Sequence, residues 1–403
     1  MSNSSAVIPE RPTVLRDRPT WVSYAQITAW GWFVYSFAPA VALLRNELEL
    51  SRTLEGLYST ALALGGILAG VAAARVVALI GRGPVMRLGS VAAVVGLTLF
   101  VVTTSFASTL LGVVLVGGGA TLAMIGVNAF LTEHQGPAAP RTMSEGNGIA
   151  TAVGLLGPLA VGTGVAIGWG WRPAFVAVLI AYVVIELARG RALHLYDGTH
   201  GHRSAEPGHA PTGPLPRLYW YTWVVVIMCI GTEFCMTLWG SDLLRDRAGL
   251  GQAAAAASIA TIVGGMAVGR LVGAPLLSTR DPETVMIGAL VIAGVGFSLA
   301  WVATSAALIL IGFAVAGLGI GLLWPLGISR AIRASAGRND RASALASVAA
   351  ALASGIAPFA LGALADRVGV HTAFLIVPTL IIAAIVLIHF ARVPLDLAED
   401  PEA

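Results

Sequence analysis

Long apolar runs follow one another along almost the whole chain, separated only by short polar breaks. They fall at residues 21–44, 54–79, 84–104, 108–132, 144–168 and 172–190. After a longer break they resume at 219–244, 252–277, 284–304, 306–331, 341–365 and 371–391. A helix needs about 20 apolar residues to cross a hydrocarbon core of about 30 Å, and every run is near or above that length. The runs are continuous, which excludes the in–out alternation of a membrane barrel. Helices satisfy the backbone of each crossing internally, as lipid requires. Charged residues make up 11% of the chain, against about 25% in soluble domains. The expectation is an all-α polytopic membrane protein with twelve transmembrane helices, six before the long break and six after it.

The basic residues, all of them Arg, set the expected orientation, because they collect on the cytoplasmic side of a membrane. With the N-terminus inside, Arg11, Arg16, Arg18, Arg82, Arg87, Arg141, Arg189, Arg191, Arg203, Arg217, Arg280, Arg330, Arg333, Arg338, Arg341 and Arg392 lie on or near that side. Arg45, Arg52, Arg172, Arg245, Arg247 and Arg367 fall outside, balanced by Glu47, Glu49, Glu55, Asp242, Asp246 and Asp366. Both termini are then cytoplasmic, in a multi-pass protein of the inner cell membrane. The first 20 residues hold no short apolar segment with a cleavage site, so the first run reads as an uncleaved span. The expected division is a tail at 1–20, a bundle at 21–190, a linker at 191–217, a second bundle at 218–391 and a tail at 392–403.

The linker is rich in Gly, Pro and His and reads as a flexible connection. Its His200, His202 and His209 lack accompanying carboxylates or cysteines, so no metal site is expected. Cys229 and Cys235 lie six apart in one apolar run and cannot bridge within it. The net charge of +3 reflects loop arginines and gives no reason to expect a nucleic-acid partner.

The two halves repeat. Gly65, Gly66 and Gly70 recur as Gly264, Gly265 and Gly269, and Gly117 and Gly119 recur as Gly317 and Gly319. Pro158 and Gly162 recur as Pro358 and Gly362. Six spans per half is an even number, so the halves have the same orientation. Such parallel repeats are related by an axis along the membrane normal, with a solute site expected near the midplane between them.

This layout resembles the major facilitator superfamily over nearly the whole chain. Gly157-Pro158-Leu-Ala-Val-Gly162, followed by Gly170-Trp171-Arg172-Pro-Ala-Phe175, is similar to the fifth and sixth helices of that family. Pro358 to Gly362, Asp366-Arg367-Val-Gly369 and Phe374 are similar to the eleventh and twelfth. The resemblance implies two pseudo-symmetric six-helix bundles around a cavity that opens alternately to each side. The family's cytoplasmic signature, Gly-x-x-x-Asp-Arg-x-Gly-Arg, is partly kept: Gly70 and Arg75 match, Ala74 stands at the Asp position, and Gly81-Arg82 arrives late. In the second half Gly269 matches, while Gly273 and Ala274 replace the Asp-Arg pair. Gly231-Thr-Glu233 with Trp239 is similar to the seventh helix of fucose-permease-like carriers. The Gly154, Gly157-Pro158, Gly162 pattern resembles in part the fifth helix of drug:proton antiporters.

Glu233, near the middle of the 219–244 run, is the sharpest candidate. A charged carboxylate facing lipid at that depth costs about 2.5–3.5 kcal/mol or more. It should therefore face protein or a wet cavity, or carry a proton, and it reads as the proton-coupling group. A protonated carboxyl bonded to a neighbouring helix is the alternative. Cys229 and Thr237 share its helical stripe and join the substrate-binding candidates. In the first run these are Tyr24, Thr28, Trp30 and Tyr35, aromatic and hydroxyl groups on two helical faces; elsewhere they are Asn128 and Trp324. Arg75, Glu133, Glu145 and Arg270, toward the helix ends, are gating candidates.

Gly117–Gly119 and Gly317–Gly321 lack the Gly-Lys-Ser/Thr ending of a phosphate loop and read as helix-packing positions. No nucleophile with a base is visible, and neither an enzyme nor a cofactor is expected. The expected function is secondary active transport of a small organic solute by alternating access, driven by protons, by a monomer in the bilayer. Efflux of drugs or secondary metabolites by proton antiport, and a non-transporting receptor on the same fold, are the alternatives.

Overall fold

A computed structural model describes residues 13–197, 213–276 and 280–393. His200, His202 and His209 lie outside the described residues, as do the outer parts of both tails. The first half contains α1 (Arg18–Glu47), α2 (Arg52–Ile80), α3 (Arg82–Val102), α4 (Phe106–Gln135), α5 (Ala139–Gly154), α6 (Leu156–Ala166) and α7 (Arg172–Arg189). The second contains α8 (Arg217–Ala248), α9 (Gln252–Leu276), α10 (Pro282–Val302), α11 (Ala306–Arg333), α12 (Asn339–Val368), α13 (Val370–Ala373) and α14 (Ile376–Phe390). Strands are absent from the described residues. Eleven helical stretches are long and apolar enough to cross a membrane among those residues, with α5 and α6 forming one of them. The further crossing is α7, an 18-residue helix with Arg172 at its start and Glu186 and Arg189 in its last turn.

Helix starts are written locally. Asp17 caps α1 by accepting from the Thr20 N–H at 3.1 Å, with a proline in the first turn. Ser51 caps α2 in the same way at 3.2 Å. Ser105 and Ser305, equivalent in the repeat, cap α4 and α11. Each side-chain oxygen satisfies an N–H that the first turn leaves without an intrahelical partner.

The repeated glycines are packing seams. A Cβ at Gly65 would stand 2.0 Å from the Val114 carbonyl oxygen, and one at Gly117 would stand 2.2 Å from that of Leu62. In the second half Gly265 meets the Ala314 oxygen at 2.3 Å and Gly317 that of Ile262 at 2.3 Å. The helix pairs α2–α4 and α9–α11 are therefore the same contact made twice. In lipid, where burial gives helices no hydrophobic reward, such close backbone approach is a main source of association.

Each bundle has its own core. Phe33, Phe37, Phe100, Trp171 and Phe175 interlock in the first, with Phe100 and Trp171 centroids 5.0 Å apart. Trp239, Phe297, Phe313 and Phe374 fill the second. Both described termini, the end of α7 and the start of α8 lie at one end of the molecule, here the near end; the opposite end is the far end.

Candidate functional site

The two bundles touch mainly in their far halves. A Cβ at Gly56 of α2 would lie 2.7 Å from Phe359 Cα of α12, and one at Gly162 of α6 would lie 2.7 Å from the Ala253 oxygen of α9. Thr60 donates to the Gly355 oxygen at 2.8 Å. Asp366 at the end of α12 accepts from the Arg52 N–H at 3.0 Å and from the Thr53 N–H at 2.8 Å and hydroxyl at 2.6 Å. It thus caps the N-terminus of α2 across the bundle boundary, where an anion is favoured by the free N–H groups and the helix dipole. At the same level Arg45 of α1 bonds Glu55 of α2 at 2.6 Å and Asp242 of α8 at 2.8 Å. Among the described residues, no hydrogen bond or ion pair joins the bundles at the near end.

Toward the near end the bundles part around a cavity of about 740 Å³. Its first-half walls are Trp30 and Val34 of α1, Gly66 and Gly70 of α2, and Thr121 and Asn128 of α4. Across from them stand Phe234 of α8 and Ser347, Ala351 and Ser354 of α12. Among the described residues, no charged side chain lines it. The polar handles are the Asn128 amide, the Thr121, Ser347 and Ser354 hydroxyls and the Trp30 indole. A cavity of this size, mostly apolar with a few hydrogen-bonding groups, suits a small organic molecule.

Glu233 is not on that wall. It lines a separate void of about 30 Å³ with Tyr35, Phe37, Ser59, Thr237 and Ile259. Val34 and Phe234 line both spaces and form the partition between them. The Glu233 carboxyl is half-buried and makes no hydrogen bond or ion pair among the described residues.

The other candidates for solute contact divide among five environments. Trp30 and Asn128 meet at the cavity; Tyr35 and Thr237 join Glu233 at the void. Tyr24 and Thr28 line a different crevice of about 470 Å³ between α1, α5 and α7, inside the first bundle. The Tyr24 hydroxyl there donates to Glu145 at 3.2 Å. Cys229 is 1% exposed and belongs to the second bundle's core. Trp324 packs with Phe234 and Ile227 against Val226 and Ile230, behind the cavity wall.

The gating candidates bond only within their own bundles. Glu133 is held by Arg82 at 2.7 and 2.8 Å, and Glu145 by Arg16 at 3.2 Å and Arg141 at 3.5 Å. Arg270 donates to the Gly321 oxygen at 3.2 Å, and Arg75 is exposed without an ion pair.

Sequence reasoning missed the Arg45, Glu55 and Asp242 cluster, treating all three as loop charges at the outer ends of spans. A usable signal was present. Glu55 lies inside an apolar run, four residues past its N-cap, and Asp242 lies two residues before the end of another. Also missed was the burial of two cations at the near end, although the pairing of Arg189 with Glu186 is the one their spacing of three implies. Arg189 bonds the Gln26 side chain at 3.1 Å as well as Glu186, and Arg330 bonds Glu283 at 2.9 Å and Thr222 at 2.9 Å. Both are internal to their bundles and stiffen them as units. No cluster of potential metal ligands occurs among the described residues.

Comparison with known proteins agrees with this architecture. Over 94% of this chain and 97% of the other, the fold superposes on a bacterial homologue of the human lysosomal transporter Spinster, inward-facing and occupied, with a TM-score of 0.68 and 14% identity. A variant of the nucleoside transporter NupG matches over 93% and 98% with a TM-score of 0.70 and 12% identity. The transporter FucP in its outward conformation matches over 93% and 98% with a TM-score of 0.62 and 14% identity. No curated protein matches the sequence significantly. The family model described as Major Facilitator Superfamily matches residues 25–280 and again 246–402. With the repeat, the paired bundles and the cavity between them, that match identifies the chain as a member of the major facilitator superfamily, a transporter of some solute.

Proposed function

We propose that this protein is a proton-coupled secondary transporter that moves a small, neutral or amphipathic organic solute across the cytoplasmic membrane by alternating access. The observation that carries this reading is the uncharged cavity of about 740 Å³ between the bundles, open at one end and bonded shut at the other. An ionic solute would need a counter-charge in that wall, and none lines it. The arginine distribution makes the near end cytoplasmic, so the cavity faces inward. Solute enters between α2, α4 and α12 and contacts Trp30, Asn128 and the serines of α12. Pressure on Val34 and Phe234 then links the solute space to the void around Glu233. No nucleotide site is present in the sequence, so an ion gradient supplies the work.

The apolar wall also favours efflux of amphipathic compounds over uptake of a polar nutrient. Proton antiport is therefore the second reading, and resistance scored in a sensitised host separates the two directions. The central test uses protein reconstituted in vesicles with an imposed pH gradient and a solute found by thermal-shift screening at two pH values. Glu233→Gln is expected to abolish gradient-driven accumulation while solute exchange persists. Undiminished pH-dependent accumulation by Glu233→Gln overturns the assignment of the proton carrier.

A further inference from the structure

The far-end ion cluster is unbalanced. Arg45 is one cation bonded to two carboxylates, Glu55 at 2.6 Å and Asp242 at 2.8 Å. Glu55 is 0% exposed and Asp242 2%. The remaining oxygen of each, Glu55 Oε1 and Asp242 Oδ2, is buried and accepts no hydrogen bond, and the hydroxyl of the adjacent Ser241 is also unpartnered.

Neighbouring groups do not repair the imbalance. On α1, Asn46 adds only an amide oxygen that accepts from Arg45. On α2, Arg52 is partly exposed and bonds neither carboxylate through its guanidinium, and its charge is shared with Asp366 of α12. The Tyr58 hydroxyl, one turn from Glu55, is engaged with Thr109 at 2.6 Å. On α8, Arg245 is part-exposed, forms no ion pair among the described residues and lines a crevice with Ser241, Pro39, Leu43 and Gln252 without bonding either carboxylate. The far half of α9 carries no charge. Arg45 and Arg52 against Glu55, Asp242 and Asp366 leave one negative charge in excess, centred on two buried oxygens without partners. An uncompensated buried anion is strongly disfavoured, and a proton is the smallest ligand that removes it.

We infer that this cluster is a second proton-binding site, distinct from Glu233, which holds one proton on Glu55 Oε1 whenever the far end is shut. It rests on the alternating-access reading and adds a regulator to it. The proton comes from water on the far side and adds to one carboxylate oxygen; no other bond changes. When the bundles part at the far end, Asp242 leaves with α8. Glu55, left with Arg45 alone on the first bundle, releases the proton to the far side, and the two remain as a neutral pair. The shut state therefore holds one proton more than the open state. By linkage, each unit of falling pH multiplies the shut-to-open ratio by up to tenfold.

The test measures conformation, so it stands apart from any flux assay. Spin labels are placed at Thr104→Cys and Thr304→Cys, exposed positions in equivalent far-end loops. Distances are recorded between pH 5 and 8 in sodium-free buffer. The full-length protein is expected to shift toward the shorter, shut distance as pH falls, by up to tenfold in population ratio per unit. Glu55→Gln and Asp242→Asn each remove the excess charge, so each should stay shut across the range with no pH slope. A merely structural bridge would weaken in both variants and open instead, which overturns the inference. So does a pH-independent distance in the unmodified cluster, or closure that follows added sodium at constant pH. Glu233→Gln should keep the slope; its loss there, with retention in the cluster variants, places the proton at Glu233 and ends the proposal. A flat response together with normal Glu233-dependent transport sinks this inference alone.

Discussion

Replacing Gly56 with alanine adds one methyl group at a point of close backbone approach between α2 and α12. Its Cβ would stand 2.7 Å from Phe359 Cα and 3.3 Å from the Pro358 oxygen, where carbon contacts are optimal at about 3.5–4.0 Å. The neighbour is backbone, so nothing can rotate away, and the helices must part by about 1 Å. Overpacking of this kind costs about 1–3 kcal/mol. The cost falls only on the far-end-shut state, because parted bundles have no clash. The shut-to-open ratio should therefore fall about 5- to 150-fold. Gly70→Ala on the same helix is the control, since no heavy atom lies within 4 Å of its Cβ position. Both changes gain the same helix propensity, up to about 1 kcal/mol, so their difference isolates the seam. Spin labels at Thr104→Cys and Thr304→Cys report the far-end distance, and the native Cys229 and Cys235 are buried and escape labelling. Gly56→Ala should populate the longer distance and Gly70→Ala should match the parent. Matching distributions for parent and Gly56→Ala, or an equal shift in Gly70→Ala, would refute the steric seam as what holds the far end shut.

Three further outcomes follow from the same geometry. Arg45→Met strands two buried carboxylates and should cost about 3–5 kcal/mol; a thermal melt should show the loss, larger at pH 8 than at pH 5, because protons can replace the missing cation. Gly117→Ala places a Cβ 2.2 Å from the Leu62 oxygen, whereas at Gly118 the nearest atom is 3.2 Å away; the first should lose most folded protein on size-exclusion chromatography and the second should retain it. At the near end, partial burial pushes the Asp17 carboxyl up, but bonds from Thr20 and His134 outweigh it and hold the group below the usual aspartate range. A lowered carboxyl adds stability above its unfolded range and loses it as pH falls through the folded one. Asp17→Ala should therefore cost about 1 kcal/mol near neutrality, with the difference from the parent shrinking below about pH 4; a constant difference down to pH 2 would point to lost packing instead.

The crossings were legible because lipid leaves the backbone no alternative to helix, and apolar length is visible in any window. The repeat was legible because Gly65 with Gly117, and Gly265 with Gly317, each put backbone against backbone, a demand that only glycine meets. Side-chain destinations were harder. Tyr24, Thr28 and Tyr35 share one stripe of α1, as their spacing implies, yet the stripe passes two surroundings. Near its start it faces α5 and α7 of the same bundle; at Tyr35 the bundles converge and α8 and α9 arrive. Periodicity resolves the angle around a helix but not which neighbour stands at each depth. Asn128 and Trp30 were found as polar or amphipathic groups isolated in apolar runs. Arg45, Glu55 and Asp242 escaped because charges at span ends look alike whether they meet water or each other, and 10 and 197 residues separate Arg45 from its two partners.

The two ends of the molecule are held by different physics, and this sets the resting state. At the far end the bundles share the Arg45 cluster, the Asp366 cap and glycine contacts such as Gly56 against Phe359. At the near end three of the four charges placed for bridging are committed within their own bundle: Glu133 to Arg82, Glu145 to Arg16 and Arg141, Arg270 to a carbonyl of α11. Arg75 is exposed without an ion pair, and the position before it, acidic in the family signature, is Ala74. Closing the near end therefore brings few new ionic bonds, while opening the far end breaks several. The imbalance favours the state seen here, shut at the far end, and the cycle turns only when something offsets it. On the proposed reading, solute filling the cavity offsets it by adding contacts to both bundles at once, across Trp30 and Asn128 on one side and Phe234 and Ser347 on the other. A change in the charge of the Arg45 cluster offsets it from the opposite end, by weakening the bonds that must break.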